Sequence, residues 1–402
     1  MIEVRNRDYF MKIFNGIPIN DRLYIIFAVL SLFLYVFGHS TDWGQLPFPD
    51  KMFYIPCAVT LLIAFFSPKY WIFSKSDKLY IAFWIIAFFN TILFVNITIE
   101  TIFNSLIGYL IFRHLTNVDY KLVIRLLLYL TPLVVAIHYI YSTPLTLAAG
   151  HRYGGFQGDP NCFSFAINVF VFVCGYMLNY DSIKWHKILS LVCIAFIFPL
   201  LFAAASRGNI AIAVLITAYS FRDMLKTNKL IAIVVVVVAL NFGGRYIARF
   251  ATQLEQVTNR YQETEGSSEY RTQELSIVPA LLLAHPEYIP FGIGYNESLH
   301  AHSRFPYEYY HVGRCHNSYM SVLLEEGAVG FILFMCFLYY KGKSVFDRRH
   351  FPDGKYKLMM MFAILFFFYT IYCLPFLPFW FLLNLISSKN NRKGIKYVKT
   401  KS

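Results

Sequence analysis

Charge is scarce in this sequence. Lys, Arg, Asp and Glu make up 15% of its 402 residues, against about 25% in soluble domains, so the polar surface that a water-soluble fold of this length needs is missing. Segments of alternating polarity are missing too: the apolar residues come in continuous blocks, which excludes a membrane β-barrel. The chain has no glycine-rich nucleotide loop, no internal repeat, no linker and no low-complexity tract. Its seven cysteines follow no metal or disulfide spacing. The first 22 residues are charged and lack a small-residue cleavage site, so no removable signal peptide is expected and the first apolar block reads as an anchor. Acidic residues number 23 against 36 basic ones, a net charge of +13. Such an excess raises the question of nucleic acid, and its distribution answers it.

What is present is hydrocarbon. Hydrophobic residues reach 57% and aromatics 19%, in blocks near the roughly 20 residues that cross a bilayer. Spans are expected at 23–38, 52–66, 79–95, 99–112, 122–141, 162–178, 188–205, 209–221, 230–242, 317–340 and 358–372, with a short one at 376–385. The fold class is all-α polytopic membrane protein with about 12 transmembrane helices. With both termini inside, 27 of the 36 Lys and Arg fall on inner segments. Six of the rest lie in one large outer loop (Arg245, Arg249, Arg260, Arg271, Arg304, Arg314), and Lys51, Arg152 and Arg207 occupy short outer connections. This is the positive-inside bias. The basic excess orients the chain and meets anionic lipid, as in the tail residues Lys389, Arg392, Lys393, Lys396, Lys399 and Lys401; no nucleic-acid partner is expected. Residues 1–402 read as a single membrane domain with a loop, 245–315, set into it.

Two outer connections are elaborate. Residues 142–161 contain His151-Arg152-Tyr153-Gly154-Gly155 and Gly158-Asp159-Pro160-Asn161, which is turn chemistry; Asp159 or Asn161 can cap the helix that follows. Loop 245–315 contains an expected amphipathic helix from Ser268 to Leu283, with Leu275, Val278 and Leu282 at helical spacing and Pro286 as its stop. Gly292-Ile293-Gly294-Tyr295 and a Tyr/His-rich stretch follow. A loop this long is usually functional. Cys162 and Cys315 both fall at the outer face, where they can pair in an oxidising compartment.

Several residues can carry chemistry. Arg207 separates two apolar blocks at their outer ends. A guanidinium against hydrocarbon costs a few kcal/mol unless paired or wetted, and its fork matches a phosphate; the plainer reading is a turn residue that snorkels to the headgroups. Arg271, with Tyr270 before it, lies at the start of the amphipathic helix, where free N–H groups favour an anion; the plainer reading is a surface arginine paired with Glu269 or Glu274. Arg152, Arg304 and Arg314 are further cations. His316 opens the span after the loop, and a neutral imidazole there can take a proton from a sugar hydroxyl; its neighbour Asn317 is also a good helix cap. Glu325 and Glu326 lie about 14 Å further along that span, a depth at which ionisable groups are functional or tightly paired. Glu325 can hold an arginine or cap a broken helix. His300, His302, His311, Cys315 and His316 are soft ligands at no standard zinc spacing, so no metal is expected. Tyr295, Phe305, Tyr307, Tyr309 and Tyr310 suit either sugar faces or an interfacial belt.

Taken in order, Arg152-Tyr153-Gly154-Gly155-Phe156 with Asp159-Pro160-Asn161, Ser206-Arg207-Gly208, Tyr270-Arg271, Pro290-Phe291-Gly292-Ile293-Gly294 and His316-Asn317-Ser318-Tyr319 with Glu325, Gly327 and Gly330 resemble the O-antigen polymerase and ligase superfamily. The resemblance covers about residues 150–335. It implies a fold related to glycosyltransferase superfamily C in the bacterial inner membrane, with a periplasmic site. It implies metal-independent, cofactor-free transfer of a glycan from undecaprenyl diphosphate to an acceptor hydroxyl. Arg207 and Arg271 would hold the diphosphate and His316 would lie at the acceptor. Arg152, Asp159, Asn161, Tyr270, Arg314, Asn317 and Glu325 would support substrate binding. Partners implied are the lipid-linked donor and acceptor, membrane lipid and a polysaccharide chain-length regulator. A donor that carries its own diphosphate leaving group asks for charge stabilisation and one base, not a nucleotide site. The polymerase branch, with a second lipid-linked repeat as acceptor, is favoured over a ligase acting on lipid A–core. A lipid-linked oligosaccharide transporter would show two related halves and midplane charges; Glu325 and Glu326 are the features that speak for it.

Overall fold

The computed structural model describes residues 17–37, 51–94, 103–141, 154–157, 159–227, 267–307, 309 and 315–388. Among them there is no strand; helices follow one another as α1 (Ile19–Phe37), α2 (Tyr54–Phe65), α3 (Lys75–Phe94), α4 (Gly108–Arg113), α5 (Tyr120–Tyr141), α6 (Pro160–Tyr180), α7 (Lys184–Ala204), α8 (Arg207–Thr227), α9 (Ser267–Ala284), α10 (Ala301–Arg304), α11 (Ser318–Phe346), α12 (Gly354–Thr370) and α13 (Leu377–Ile386). Five are long and apolar enough to cross a membrane: α1, α5, α6, α7 and α11. The span expected at 230–242 lies outside the described residues.

Two expected spans take a different form. In the described part of the block 99–112, a π-helical turn at Phe103–Ile107 leads directly into α4, six residues long. The block at 376–385 forms α13, ten residues and buried throughout. A helix of that length rises about 15 Å, half the hydrocarbon thickness. Its apolarity belongs to the protein core: Trp380 packs on Tyr80, Tyr109 and Phe337, and its indole N–H donates to the Leu374 carbonyl at 2.8 Å.

The centre of the bundle is α6, 89% buried and packed on α5, α7 and α8. An apolar residue is needed at nearly every α6 position because it faces protein on all sides. A second seam joins α3 to α11 through Phe83–Phe334 and Tyr80–Phe337. The two helices run antiparallel: early Asp77 lies 4.0 Å from late Lys341, and late Asn90 donates at 3.0 Å to early Glu326.

Polar contacts sort the connections into two ends. At one end Asp181 takes Arg125 at 3.1 Å and His186 at 3.0 Å, Asp353 takes Tyr120 and Tyr176, and Lys341 donates to Asn384 at 2.9 Å. Burial alone would raise the Asp181 carboxyl, but hydrogen bonds from His186 and the Ile183 amide, with the Arg125 charge, outweigh it and hold the group well below the usual range. The segments around 67–78, 113–121, 179–187 and 341–357, expected on one side, thus meet. The opposite end gathers residues 159–161, 205–209, 316–318 and 371–373.

Candidate active site

The first half of the site is a pair of helix starts. Asp159 caps α6, its Oδ1 accepting from the amides of Asn161 at 2.7 Å and Cys162 at 2.8 Å, with Pro160 at the first helical position. Nearby, α7 ends at Ala205 in the left-handed conformation (φ 49°), the chain reverses, and α8 begins at Arg207. Side chains fasten one start to the other. Ser206 Oγ donates to Asn161 Oδ1 at 2.8 Å, Asn209 Nδ2 to the Asn161 carbonyl at 3.2 Å, and Asn168 Nδ2 to the Asn209 carbonyl at 3.0 Å. The N-termini of α6 and α8 therefore lie side by side with half-buried Arg207 at the second. The α6 end already carries the Asp159 carboxylate, so the α8 start with its guanidinium is the one that favours a further anion.

The second half is the start of α11. Asn317 caps it, accepting from the amides of Tyr319 at 3.0 Å and Met320 at 3.3 Å. His316 is exposed while Asn317 is fully buried. The Glu274 carboxylate on α9 accepts the His316 amide on one oxygen and the Asn317 amide on the other, both at 2.9 Å. Tyr309 and Cys315 pack beside it. Burial, with the neighbouring Glu274 charge, pushes the Cys315 thiol well up; burial, with the charges of Cys315 and Glu274, does the same to the Tyr309 phenol. Cys162 and Cys315 are both free thiols, so the pairing considered from sequence does not form.

Both halves lie beside the C-terminal end of α12. The Ser318 hydroxyl donates to the Ile371 carbonyl and accepts the Cys373 amide at 2.9 Å. A Cβ on Gly208 would stand 4.0 Å from the Thr370 methyl. Arg207 precedes Gly208 and His316 lies two residues before Ser318, so both sit at the end of the bundle where α12 stops.

Below His316, α11 is broken. Gly327 has φ 63° and ψ −167° inside the helix, and the segment 289–294 fills the break. Amides of Ile293 and Gly294 donate to the carbonyls of Leu324 and Glu325 at 3.0 and 2.9 Å, while amides of Ala328 and Val329 donate to those of Ile289 and Pro290 at 2.7 and 3.2 Å. Asn90 Nδ2 pins the insert from the side through the Phe291 carbonyl at 2.6 Å and Glu326. Glu325 faces the same insert: its carboxylate accepts from the Ser298 hydroxyl at 2.5 Å and amide at 3.3 Å, and from the Tyr372 hydroxyl at 3.4 Å. It thus caps the turn Glu297–His300.

The structure brings Arg207, Asp159 and Asn161 together, and places Asn317, Glu325 and His316 along α11 and its entry. Asp159 and Asn317 spend their side-chain oxygens on helix amides. Position 271 lies one helical turn before Glu274 on α9; the Tyr270 and Arg271 side chains, and Arg152 and Arg314 entirely, lie outside the described residues. Of the other sequence candidates, Arg304 donates to the Ile293 carbonyl and the Tyr288 hydroxyl, a clip within the loop. Helix α9 buries Val278 and Leu282 as expected, but Leu275 is 43% exposed. The inward face is set by Ile277, Val278, Leu281 and Leu282, which pack with Ile293, Phe305 and Leu324 in a small core of their own.

Residues 189–335 match the family model of the O-antigen ligases. The match agrees with the superfamily resemblance carried by the motifs, and it spans Arg207, Arg271, His316, Asn317 and Glu325. No curated protein matches the chain significantly. Glu274, Ser298 and Asn90 were not singled out from sequence as site-building residues. The one signal for Glu274 in the sequence is its place on the amphipathic helix, where it and Glu269 are the possible partners of Arg271.

Proposed function

We propose that this membrane protein transfers a glycan from a lipid diphosphate to a sugar hydroxyl, with undecaprenyl diphosphate as the lipid carrier in a bacterial inner membrane. The observation that supports the reading is that two helix starts, Arg207 on α8 and His316 before α11, lie at the same end of the bundle, their neighbours Gly208 and Ser318 both beside the end of α12. The positive end of α8 and the Arg207 guanidinium receive the diphosphate. Arg271, one turn before Glu274, adds a second cation, and from the sequence Arg152 and Arg314 are further candidates for substrate binding. Exposed His316 takes the proton of the acceptor hydroxyl. The acceptor oxygen bonds to the anomeric carbon, the bond from that carbon to the diphosphate oxygen breaks, and the lipid diphosphate leaves with its charge held by the arginines. No step calls for a metal or nucleotide.

The favoured acceptor is a second lipid-linked repeat, which makes the protein a surface-polysaccharide polymerase that works with a chain-length regulator. The description of the matching family model favours a second reading, a ligase that delivers the chain to lipid A–core. Purified protein given lipid-linked repeat units alone separates them. A polymerase builds a ladder of lengthening glycans; a ligase builds none. Arg207→Ala should lower ladder formation at least a hundredfold, while Arg207→Lys, which keeps the charge and loses the fork, recovers part of it. Lipid translocation abolished by Arg207→Ala with glycan length untouched would replace the enzyme by a transporter.

A further inference from the structure

We infer that Glu274 is the positioning residue for His316, holding its main chain so that the imidazole meets the acceptor hydroxyl. The inference rests on the transferase reading and extends it to a residue that the motifs leave without a role.

The geometry is specific. The Glu274 side chain is fully buried, and each of its oxygens takes one amide, that of His316 and that of Asn317, both at 2.9 Å. Two consecutive amides on one carboxylate fix the orientation of the peptide between them, and thereby the direction in which the His316 Cβ leaves the chain. The contact crosses 42 residues of sequence, so it is no local cap. Asn317 already supplies the local cap for Tyr319 and Met320. A carboxylate buried beside Cys315 and Tyr309 is costly unless its hydrogen bonds are made; here they are spent on the residue that bears the imidazole.

Helix α9 gives the contact a further consequence. It packs against α11 through Val278, Leu281 and Leu324, and position 271 stands one turn ahead of Glu274, on the same helix. Through Glu274, the backbone that carries an expected diphosphate cation is therefore tied to the backbone that carries the expected base. The distance from diphosphate to acceptor is set by one rigid element rather than by two loops.

The test uses full-length protein in lipid and the ladder assay. Glu274→Gln keeps shape but turns one acceptor into an NH2 that faces an amide donor. A displacement of about 1 Å at a reacting group costs on the order of a hundredfold, so kcat should fall about ten- to a hundredfold while the KM for the lipid-linked donor stays within about twofold. Glu274→Asp, which keeps both oxygens on a shorter arm, should recover part of the loss. A merely structural role predicts a different pattern: lower yield and melting temperature with kcat per folded molecule unchanged, and that result overturns the inference. Hydrogen exchange on the wild-type protein needs no variant. The His316 and Asn317 amides should exchange far more slowly than open chain; exchange at open-chain rates also refutes the contact. His316→Ala is measured alongside. If wild-type protein builds no ladder, the polymerase reading itself fails; if it does and His316→Ala leaves the ladder intact, the role of His316 fails and the positioning role with it; if His316→Ala abolishes the ladder while Glu274→Gln changes nothing, only the positioning role fails.

Discussion

Gly327 shows how much a single residue can decide. Its φ of 63° is a conformation that side chains rarely adopt, and a Cβ there would lie within 2.6 Å of the main chain at Pro290, Phe291 and Gly292. Neither fault can be relieved by a rotamer change, because the obstructing atoms are backbone. Left-handed strain and overpacking each cost about 1–3 kcal/mol. Gly327→Ala should therefore destabilise the protein by at least about 2 kcal/mol, read as a lower midpoint of thermal unfolding in detergent. Gly330→Ala is the natural comparison, since a Cβ there meets the Glu326 side chain rather than backbone and α11 is helical at that point. An equal loss at both positions would show that the break in α11 does not depend on Gly327. At the same scale, Cys315 should resist alkylation. It is buried beside Glu274, and a thiol whose pKa is raised carries little thiolate at pH 7–9. Maleimide labelling of folded protein should be slow at Cys315 throughout that range and faster at half-buried Cys162; rapid labelling of Cys315 at pH 7 contradicts this environment.

At the scale of elements, the broken helix separates two readings of the buried acids. Discontinuous helices with acidic residues recur in transporters, where free half-helix ends bind ions or substrate. Here the ends are not free: the carbonyls of Leu324 and Glu325 and the amides of Ala328 and Val329 are all paired with residues 289–294. The Pro290-Phe291-Gly292-Ile293-Gly294 motif is thus the mate of the break. It ties the large loop to the span that follows and fixes the height of His316 above the loop core. Part of this was legible in the sequence. The caps at Asp159 and Asn317 follow from residue type and from the apolar run behind them, because a cap is a local hydrogen bond. The helix at 267–284 and its stop near Pro286 follow from periodicity. The break did not follow. Residues 318–346 form one apolar run, and what interrupts it is a segment some 35 positions earlier in the chain. Of the two roles the sequence leaves open for Glu325, holding an arginine or capping a helix, the structure shows it closing the turn at Ser298.

At the scale of the whole molecule, hydrophobic blocks announced an all-helical membrane fold, and five of the described helices are long and apolar enough to cross a bilayer. A sequence cannot tell an apolar helix that faces lipid from one that faces protein, and α13 is the second kind. The alternation of the chain was better specified, because charges record it: Asp77, Asp181, Asp353 and Lys341 collect at one end, and Arg207 and His316 lie at the other. This separation is what the transferase reading most needs, since diphosphate and acceptor must meet on one side of the bilayer. It gives a direct prediction. In protein with Cys162 and Cys336 replaced, Arg207→Cys and His316→Cys should both react with a membrane-impermeant maleimide in spheroplasts, whereas Lys184→Cys, beside Asp181, should react only in inverted vesicles. No activity is required, so the answer does not depend on knowing the sugar. Were Arg207→Cys and His316→Cys labelled from opposite sides, no arrangement of loops could bring a guanidinium and an imidazole to the same glycosyl diphosphate, and the convergence of α8 and α11 on the end of α12 would have to serve the fold alone.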